Sequence, residues 1–148
     1  MMDTHDNPAA APGFDEAELE LLKADPELAG MFFAEAIDHL GSIEATVLAL
    51  EGAPGDVKLL NDLFRPFHTV KGNSGALGIS SVQAVAHKVE NLLDLGRSGK
   101  HAIGLAEIDI ILKAVDVVTA MIHGLKPIFD TFKSQSLMAQ GLTGADVV

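Results

Sequence analysis

The residues of this chain whose types and spacing suit chemistry lie in one predicted helix around His68. At about 100° per residue, His68 lies roughly a quarter turn from the centre of an apolar helix face, at the boundary with water. Lys71 and Gly72 follow by three and four residues, and Gly75 continues the bare strip. A cation and positions without side chains beside an imidazole suit a phosphate donor approaching from outside. The apolar face comprises Leu60, Leu63, Phe64, Phe67, Val70 and Ser74.

This stretch resembles the phosphoacceptor motif of histidine-containing phosphotransfer (HPt) domains. The resemblance rests on the run His68-Thr-Val-Lys71-Gly72, with Gly78 ten residues after the histidine. It extends to Phe64 and Arg65 before the histidine. Residues 86–94, which carry a second histidine and a glutamate in that order, make the chain similar to the HPt domain at the N-terminus of the chemotaxis kinase CheA.

The resemblance covers about Leu28 to Phe132. Pro66 departs from the family pattern, because a proline inside a helix removes one hydrogen bond and usually bends the helix. His87 and Glu90 share a helix face at i and i+3, and read alone they are a surface pair.

The resemblance implies a role for each residue of the site. His68 would be the phosphoacceptor, attacking through Nε2. Glu90 would accept the proton on Nδ1 and so leave Nε2 nucleophilic, with His87 beside it. Lys71 would hold the incoming phosphoryl oxygens. Docking of partner domains would involve Gly72, Gly75, Gly78 and Arg65.

The same resemblance implies the partners. A histidine kinase ATP-binding domain would supply the phosphoryl group, and an aspartate of a response regulator receiver domain would take it. The chain would be a phosphocarrier with no cofactor of its own, because ATP and Mg²⁺ would be bound by a separate kinase domain. In a CheA-like protein the chain would be part of an ATP-dependent protein histidine kinase. Two alternatives are a free-standing HPt protein of a multistep phosphorelay and a non-phosphorylated helical adaptor.

Other site chemistries have little support. Helical di-iron bundles use Glu-x-x-His pairs, which this chain lacks, and His87-x-x-Glu90 has the reverse order. No Ser, Cys or Thr has the local signature of a hydrolase nucleophile. His5, His101 and His123 carry no signal beyond composition.

Composition limits the partners and the compartment. The 148 residues suit one domain, and the net charge of −11 argues against nucleic acid and against insertion into, or binding to, an anionic membrane. There is no cysteine, and no apolar run approaches the ~20 residues of a membrane span. The N-terminus is acidic where a signal peptide would be basic. These features predict a cytoplasmic protein.

Apolar periodicity predicts an all-α, antiparallel up-down-up-down four-helix bundle over residues 26–126. Residues 1–25 are expected to form a leader, either disordered or ending in a short docked helix, and residues 127–148 an accessory C-terminal helix and tail.

Local signals predict where the helices begin and end. Asp25 and Pro26 suit a helix start, and Gly78 suits the end of the helix that carries His68. Ser80 and Gln83 predict a capping box for the next helix. Pro127 predicts the start of a separate fifth helix.

Overall fold

The structure is a computed structural model that describes residues 16–141. These residues form five helices and no strand: α1 (Glu16–Ala24), α2 (Pro26–Gly52), α3 (Val57–Leu77), α4 (Ser80–Arg97) and α5 (Leu105–Ala139). The expectations for residues 1–15 and for the tail beyond 141 lie outside the described residues.

Helices α2 to α5 form the four-helix bundle. Both α2 and α4 pack against α3 and α5, and α1 lies against α2 and α5. The connections α2–α3 and α3–α4 span only 53–56 and 78–79, which makes consecutive helices antiparallel. The predicted all-α four-helix bundle is confirmed. The core is continuous through the bundle and includes Phe33, Ile43, Leu63, Phe67, Ile79, Leu93, Ile111 and Ile122.

Two helix ends follow the predicted local chemistry. The Asp25 carboxylate accepts a hydrogen bond from the Leu28 N–H at 3.1 Å, and Pro26 is the first residue of α2. At the other end of the site helix, Gly78 adopts φ of 75°, a left-handed conformation that favours glycine. These two signals therefore set the start of α2 and the end of α3.

The predicted capping box at α4 is wrong. Ser80 lies inside the helix, Ile79 is the N-cap residue, and no side chain of the helix caps it. Instead, the Ser81 N–H donates to the buried Glu18 carboxylate at 2.9 Å, and the Ser81 hydroxyl donates to the same carboxylate at 2.7 Å. A side chain of α1 thus satisfies the free N–H group at the start of α4. Within the described part of the predicted leader, Glu16–Ala24 form α1, which lies against α2 and α5.

The predicted separate helix at Pro127 is also wrong, because α5 runs through Pro127 without a break. Pro127 is exposed, so its ring lies on the solvent side of α5. The carbonyl four residues earlier, which loses its hydrogen-bond partner because proline has no N–H, lies on the same side. Beyond it, Phe129 is buried and packs against Phe33 with ring centroids 5.2 Å apart. Burial of a phenyl ring, worth about 1.5–3 kcal/mol, offsets much of the ~3 kcal/mol cost of an interior proline.

Candidate functional site

His68 lies on α3 with 61% of its side chain exposed. Its Nδ1 lies 3.0 Å from Oε2 of Glu90, which is on α4 and 22 residues further along the chain. A carboxylate can only accept hydrogen bonds, so this contact places the imidazole proton on Nδ1. In the neutral ring Nε2 is then the nitrogen without a proton, and it is the atom that can act as a nucleophile.

Glu90 is the best protected member of this group, with 12% of its side chain exposed. Its second oxygen, Oε1, accepts a hydrogen bond from Nζ of Lys71 at 2.7 Å. Burial by itself raises the pKa of Glu90, but the hydrogen bonds and charges of Lys71 and His68 outweigh it and hold the pKa below its ordinary value. The carboxylate is therefore ionised at neutral pH.

The three glycines of the predicted docking strip have different surroundings. A Cβ at Gly72 would meet no atom of residues 16–141 within 4 Å, so this position is open in the described part of the chain. A Cβ at Gly75 would lie 2.5 Å from the side-chain nitrogen of Gln83, which already covers it. Gly78 has a left-handed backbone conformation, and the Leu21 side chain of α1 packs against it. Of these three glycines, Gly72 alone has open space beside it among residues 16–141, whereas a side chain at Gly75 would displace the flexible end of the exposed Gln83, and Gly78 is required by its left-handed backbone.

His87 and Arg65 are exposed. Among residues 16–141, no hydrogen bond or ion pair of the His87 or Arg65 side chain is found, although the Arg65 carbonyl accepts from the Thr69 hydroxyl at 3.1 Å. Both side chains are therefore available to a partner, and within residues 16–141 neither forms a hydrogen bond or ring contact with His68.

The structure adds two residues to the site: Phe64, which the sequence placed in the motif without a role, and Arg97, which it did not single out. The Phe64 ring stacks on the His68 ring, with centroids 5.8 Å apart and planes 12° apart. The guanidinium of Arg97 lies 3.6 Å from the Phe64 ring centroid. The i, i+4 spacing of Phe64 and His68 is a signal for the first contact. The second joins the end of α4 to α3, and no local pattern predicts it.

Neither a metal site nor a membrane span is found among the residues that the structure describes. Within residues 16–141, no three His, Asp or Glu side chains converge in a way that could hold a metal ion. None of the five described helices is both long and apolar enough to cross a membrane.

Comparison with known proteins points to one family. The Hpt domain family model matches residues 27–126. The chain is 34% identical to the chemotaxis protein CheA of Halobacterium salinarum over 95 residues, which are 64% of this chain and 14% of that protein. Identity to CheA of Bacillus subtilis is 33% over 95 residues, with the same two coverages of 64% and 14%.

A solved structure has the same architecture. The CheA phosphotransferase domain from Thermotoga maritima is similar with a TM-score of 0.61 and 37% identity, and the match covers 64% of this chain and 90% of that one. The chain thus matches nearly all of a phosphotransferase domain but only 14% of the length of the two curated relatives.

Proposed function

This chain belongs to the HPt domain family, and we propose on that basis that it carries a phosphoryl group on Nε2 of His68 in a two-component or chemotaxis signalling system. The observation that carries this proposal is the contact of Nδ1 of His68 with Glu90 at 3.0 Å on an imidazole that is 61% exposed. It leaves the nucleophilic nitrogen free on a reachable side chain.

In the first step Nε2 of His68 attacks the γ-phosphorus of ATP held by a separate kinase domain. The new N–P bond forms as the bond between the γ-phosphorus and the β,γ-bridging oxygen breaks, and ADP leaves with that oxygen. The imidazole gains positive charge as the bond forms, while its Nδ1 keeps its proton. The ionised Glu90 carboxylate at 3.0 Å stabilises that charge.

Lys71 supports the same step in two ways. Its ammonium group holds Oε1 of Glu90 at 2.7 Å, and this keeps the other oxygen in place for His68. An ammonium group has three donors, so Lys71 can also donate to an oxygen of the phosphoryl group that arrives one turn away.

In the second step a carboxylate oxygen of a receiver-domain aspartate attacks the phosphorus on His68. The N–P bond breaks, the electron pair returns to Nε2, and an acyl phosphate forms on the partner. The chain holds the phosphoryl group between two partners and, as a member of the HPt family, is by itself a phosphocarrier and not an enzyme. It needs no cofactor for either step, since ATP and Mg²⁺ belong to the kinase domain.

Partner domains are proposed to dock over Gly72, where no side chain of the described residues lies within 4 Å of a Cβ built on the glycine. The exposed side chains of Arg65 and His87 lie on α3 and α4 and are available to contact the partner. Residues 26–126 form the docking and transfer unit in this proposal, with the end of α5 as an accessory extension of the same bundle.

The similarity to CheA proteins favours a domain of a CheA-like kinase over a free-standing HPt protein. For that context we propose the ATP-binding domain of the kinase as donor and a response regulator receiver domain as acceptor.

The direct test is phosphorylation by a CheA kinase domain with MgATP. We expect a mass increase of one phosphoryl group that is labile in acid, that maps to His68, and that moves to a receiver-domain aspartate. Label on another residue would contradict the assignment of His68. Absence of label with several CheA kinase domains would favour the non-phosphorylated adaptor.

A further inference from the structure

An exposed imidazole held by one hydrogen bond is not fully oriented. The Nδ1 contact to Glu90 positions one ring atom, but the ring can still pivot about that contact. The side chain is 61% exposed, so few neighbours restrain the pivot. Nε2 moves through an arc during such a pivot. Attack in line with a leaving group therefore needs a second restraint on the plane of the ring.

Phe64 provides a second contact of this kind. It lies one helical turn before His68, and the two ring planes differ by only 12° at a centroid distance of 5.8 Å. This separation lies in the range of favourable offset stacking. Phe64 is half-buried and packs against the core, so its own ring is less free than the imidazole.

Arg97 in turn holds Phe64. Its guanidinium lies 3.6 Å from the Phe64 ring centroid, well within the distance of a cation–π contact. The Arg97 Nε donates to the Asp94 carboxylate at 3.0 Å, and Nη1 donates to the Asn61 side-chain oxygen at 3.3 Å. Anchored at both ends, this guanidinium bridges α4 and α3 one to two turns before His68, whereas the bridge from Lys71 to Glu90 lies beyond it.

We propose that Phe64 and Arg97 are positioning residues for phosphotransfer: their stacked pair sets the plane of the His68 ring so that Nε2 faces the incoming phosphorus. This inference rests on the proposed function, since it adds the residues that orient the same nucleophile. Glu90 determines which nitrogen is free, and Phe64 with Arg97 determines where that nitrogen points.

A small phosphodonor separates orientation from partner docking. With phosphoramidate, Nε2 attacks the phosphorus, the N–P bond of the donor breaks, and ammonia leaves. No kinase domain takes part, so the rate reports the histidine alone. The variants are Phe64→Leu, which keeps an apolar side chain but removes the ring, and Phe64→Tyr, which keeps the ring.

The matched control is Leu59→Ala, which removes half-buried apolar volume from the same helix on the side opposite His68. We expect Phe64→Leu to lower the phosphoramidate rate about threefold to tenfold, as expected when a positioned group loses part of its orientation. Phe64→Tyr should retain the wild-type rate, and Leu59→Ala should do so despite lower stability. Equal losses in Phe64→Leu and Leu59→Ala would show a general structural effect and overturn the proposal.

A second readout does not depend on phosphorylation. In the wild type, NMR should show one tautomer of His68, with an Nδ1–H protected from exchange with water. Phe64→Leu should speed the exchange of this proton and broaden its signal, whereas Leu59→Ala should leave both unchanged. Unchanged exchange in Phe64→Leu would overturn the positioning role. If the wild type shows the protected proton but accepts no phosphoryl group, the proposed function fails while the orientation is still tested.

Arg97→Gln tests the outer member of the pair. It removes the cation over the Phe64 ring but keeps a polar side chain near Asp94. We expect a smaller fall in the phosphoramidate rate than in Phe64→Leu, and no further fall when the two substitutions are combined, because both act through the same ring. Additive losses in the double variant would show that Arg97 does not act through Phe64.

Discussion

Two His–Glu pairs in this domain have the same separation but different surroundings. His68 and Glu90 approach to 3.0 Å, and so do His101 and Glu107. The first pair joins α3 to α4, whereas the second lies within the connection to α5 and the first turn of that helix. Equal distances therefore do not make equal sites.

The ring nitrogen that contacts the carboxylate differs between the pairs. His68 uses Nδ1 and leaves Nε2, the atom further from the backbone, for a partner. His101 uses Nε2 and leaves Nδ1, which lies next to its own main chain. In the second pair, the ring nitrogen left free to attack a phosphate donor is therefore the less accessible one.

The second oxygen of each glutamate also has a different use. Oε1 of Glu90 binds the Lys71 ammonium group, while Oε2 of Glu107 accepts from the Gly104 N–H at 2.9 Å at the start of α5. The hydrogen bond from His101, then those of the backbone, lower the pKa of Glu107. Its carboxylate caps a helix, while that of Glu90 connects a histidine to a cation.

The largest expected effect comes from removing each histidine. His68→Gln should abolish labelling by kinase domain and by phosphoramidate, because the attacking atom is lost. Its stability should change by less than about 1 kcal/mol, since one exposed hydrogen bond is removed. His101→Gln is the matched control and should label like the wild type. Mass spectrometry and urea unfolding measure the two effects, and residual labelling of His68→Gln would contradict the assignment.

The next effect comes from the two glutamates. Glu90→Gln should slow phosphorylation at least about tenfold, because an amide can hold either tautomer and carries no charge to stabilise the imidazolium. Glu107→Gln should label near the wild-type rate. Labelling rates with phosphoramidate at equal protein concentration test both, and equal rates in the two variants would mean that Glu90 does not tune His68.

The two pairs also differ in how easily a partner reaches the free ring nitrogen, and a substitution at Gly72 tests this access at His68. Gly72→Leu should slow transfer from a kinase domain by about tenfold, the effect of losing about 1.4 kcal/mol of docking free energy. The phosphoramidate rate should fall much less. The same substitution replaces an open helical glycine and should raise stability by up to about 1 kcal/mol. An unchanged kinase rate would exclude Gly72 from the docking surface.

The smallest effect concerns the stability at acid pH. Both glutamates have folded-state pKa values below the unfolded value of 4.5, so each stabilises the fold above that pH and loses this contribution as pH falls through its folded pKa. Glu90→Gln and Glu107→Gln should each reduce the loss of stability between about pH 6 and pH 3. Urea unfolding across this pH range measures the loss of stability. A pH dependence unaltered by either substitution would argue against the pairing of that glutamate with its histidine.

The sequence alone was enough for the helical architecture, and it also supplied the histidine that we propose as the phosphoacceptor. Apolar spacing, Asp25 with Pro26 and the glycine at 78 act within a few residues, so their effect on helix limits does not depend on the rest of the fold. The family motif pointed to His68, and the resemblance of the chain to CheA pointed to Glu90. At Ser80 and Pro127 the same local reasoning failed, because Glu18 of α1 and the buried Phe129 provide contacts from other helices.

Only the tertiary structure decided how the site is arranged. Periodicity places side chains around their own helix, but the register between helices decides which of them meet. That register brings Glu90 between His68 and Lys71, covers Gly75 with Gln83, and sets Arg97 over Phe64. It also separates the two His–Glu pairs: the contact of His101 forms within six residues, whereas that of His68 spans 22 and exists only when α3 and α4 pack together.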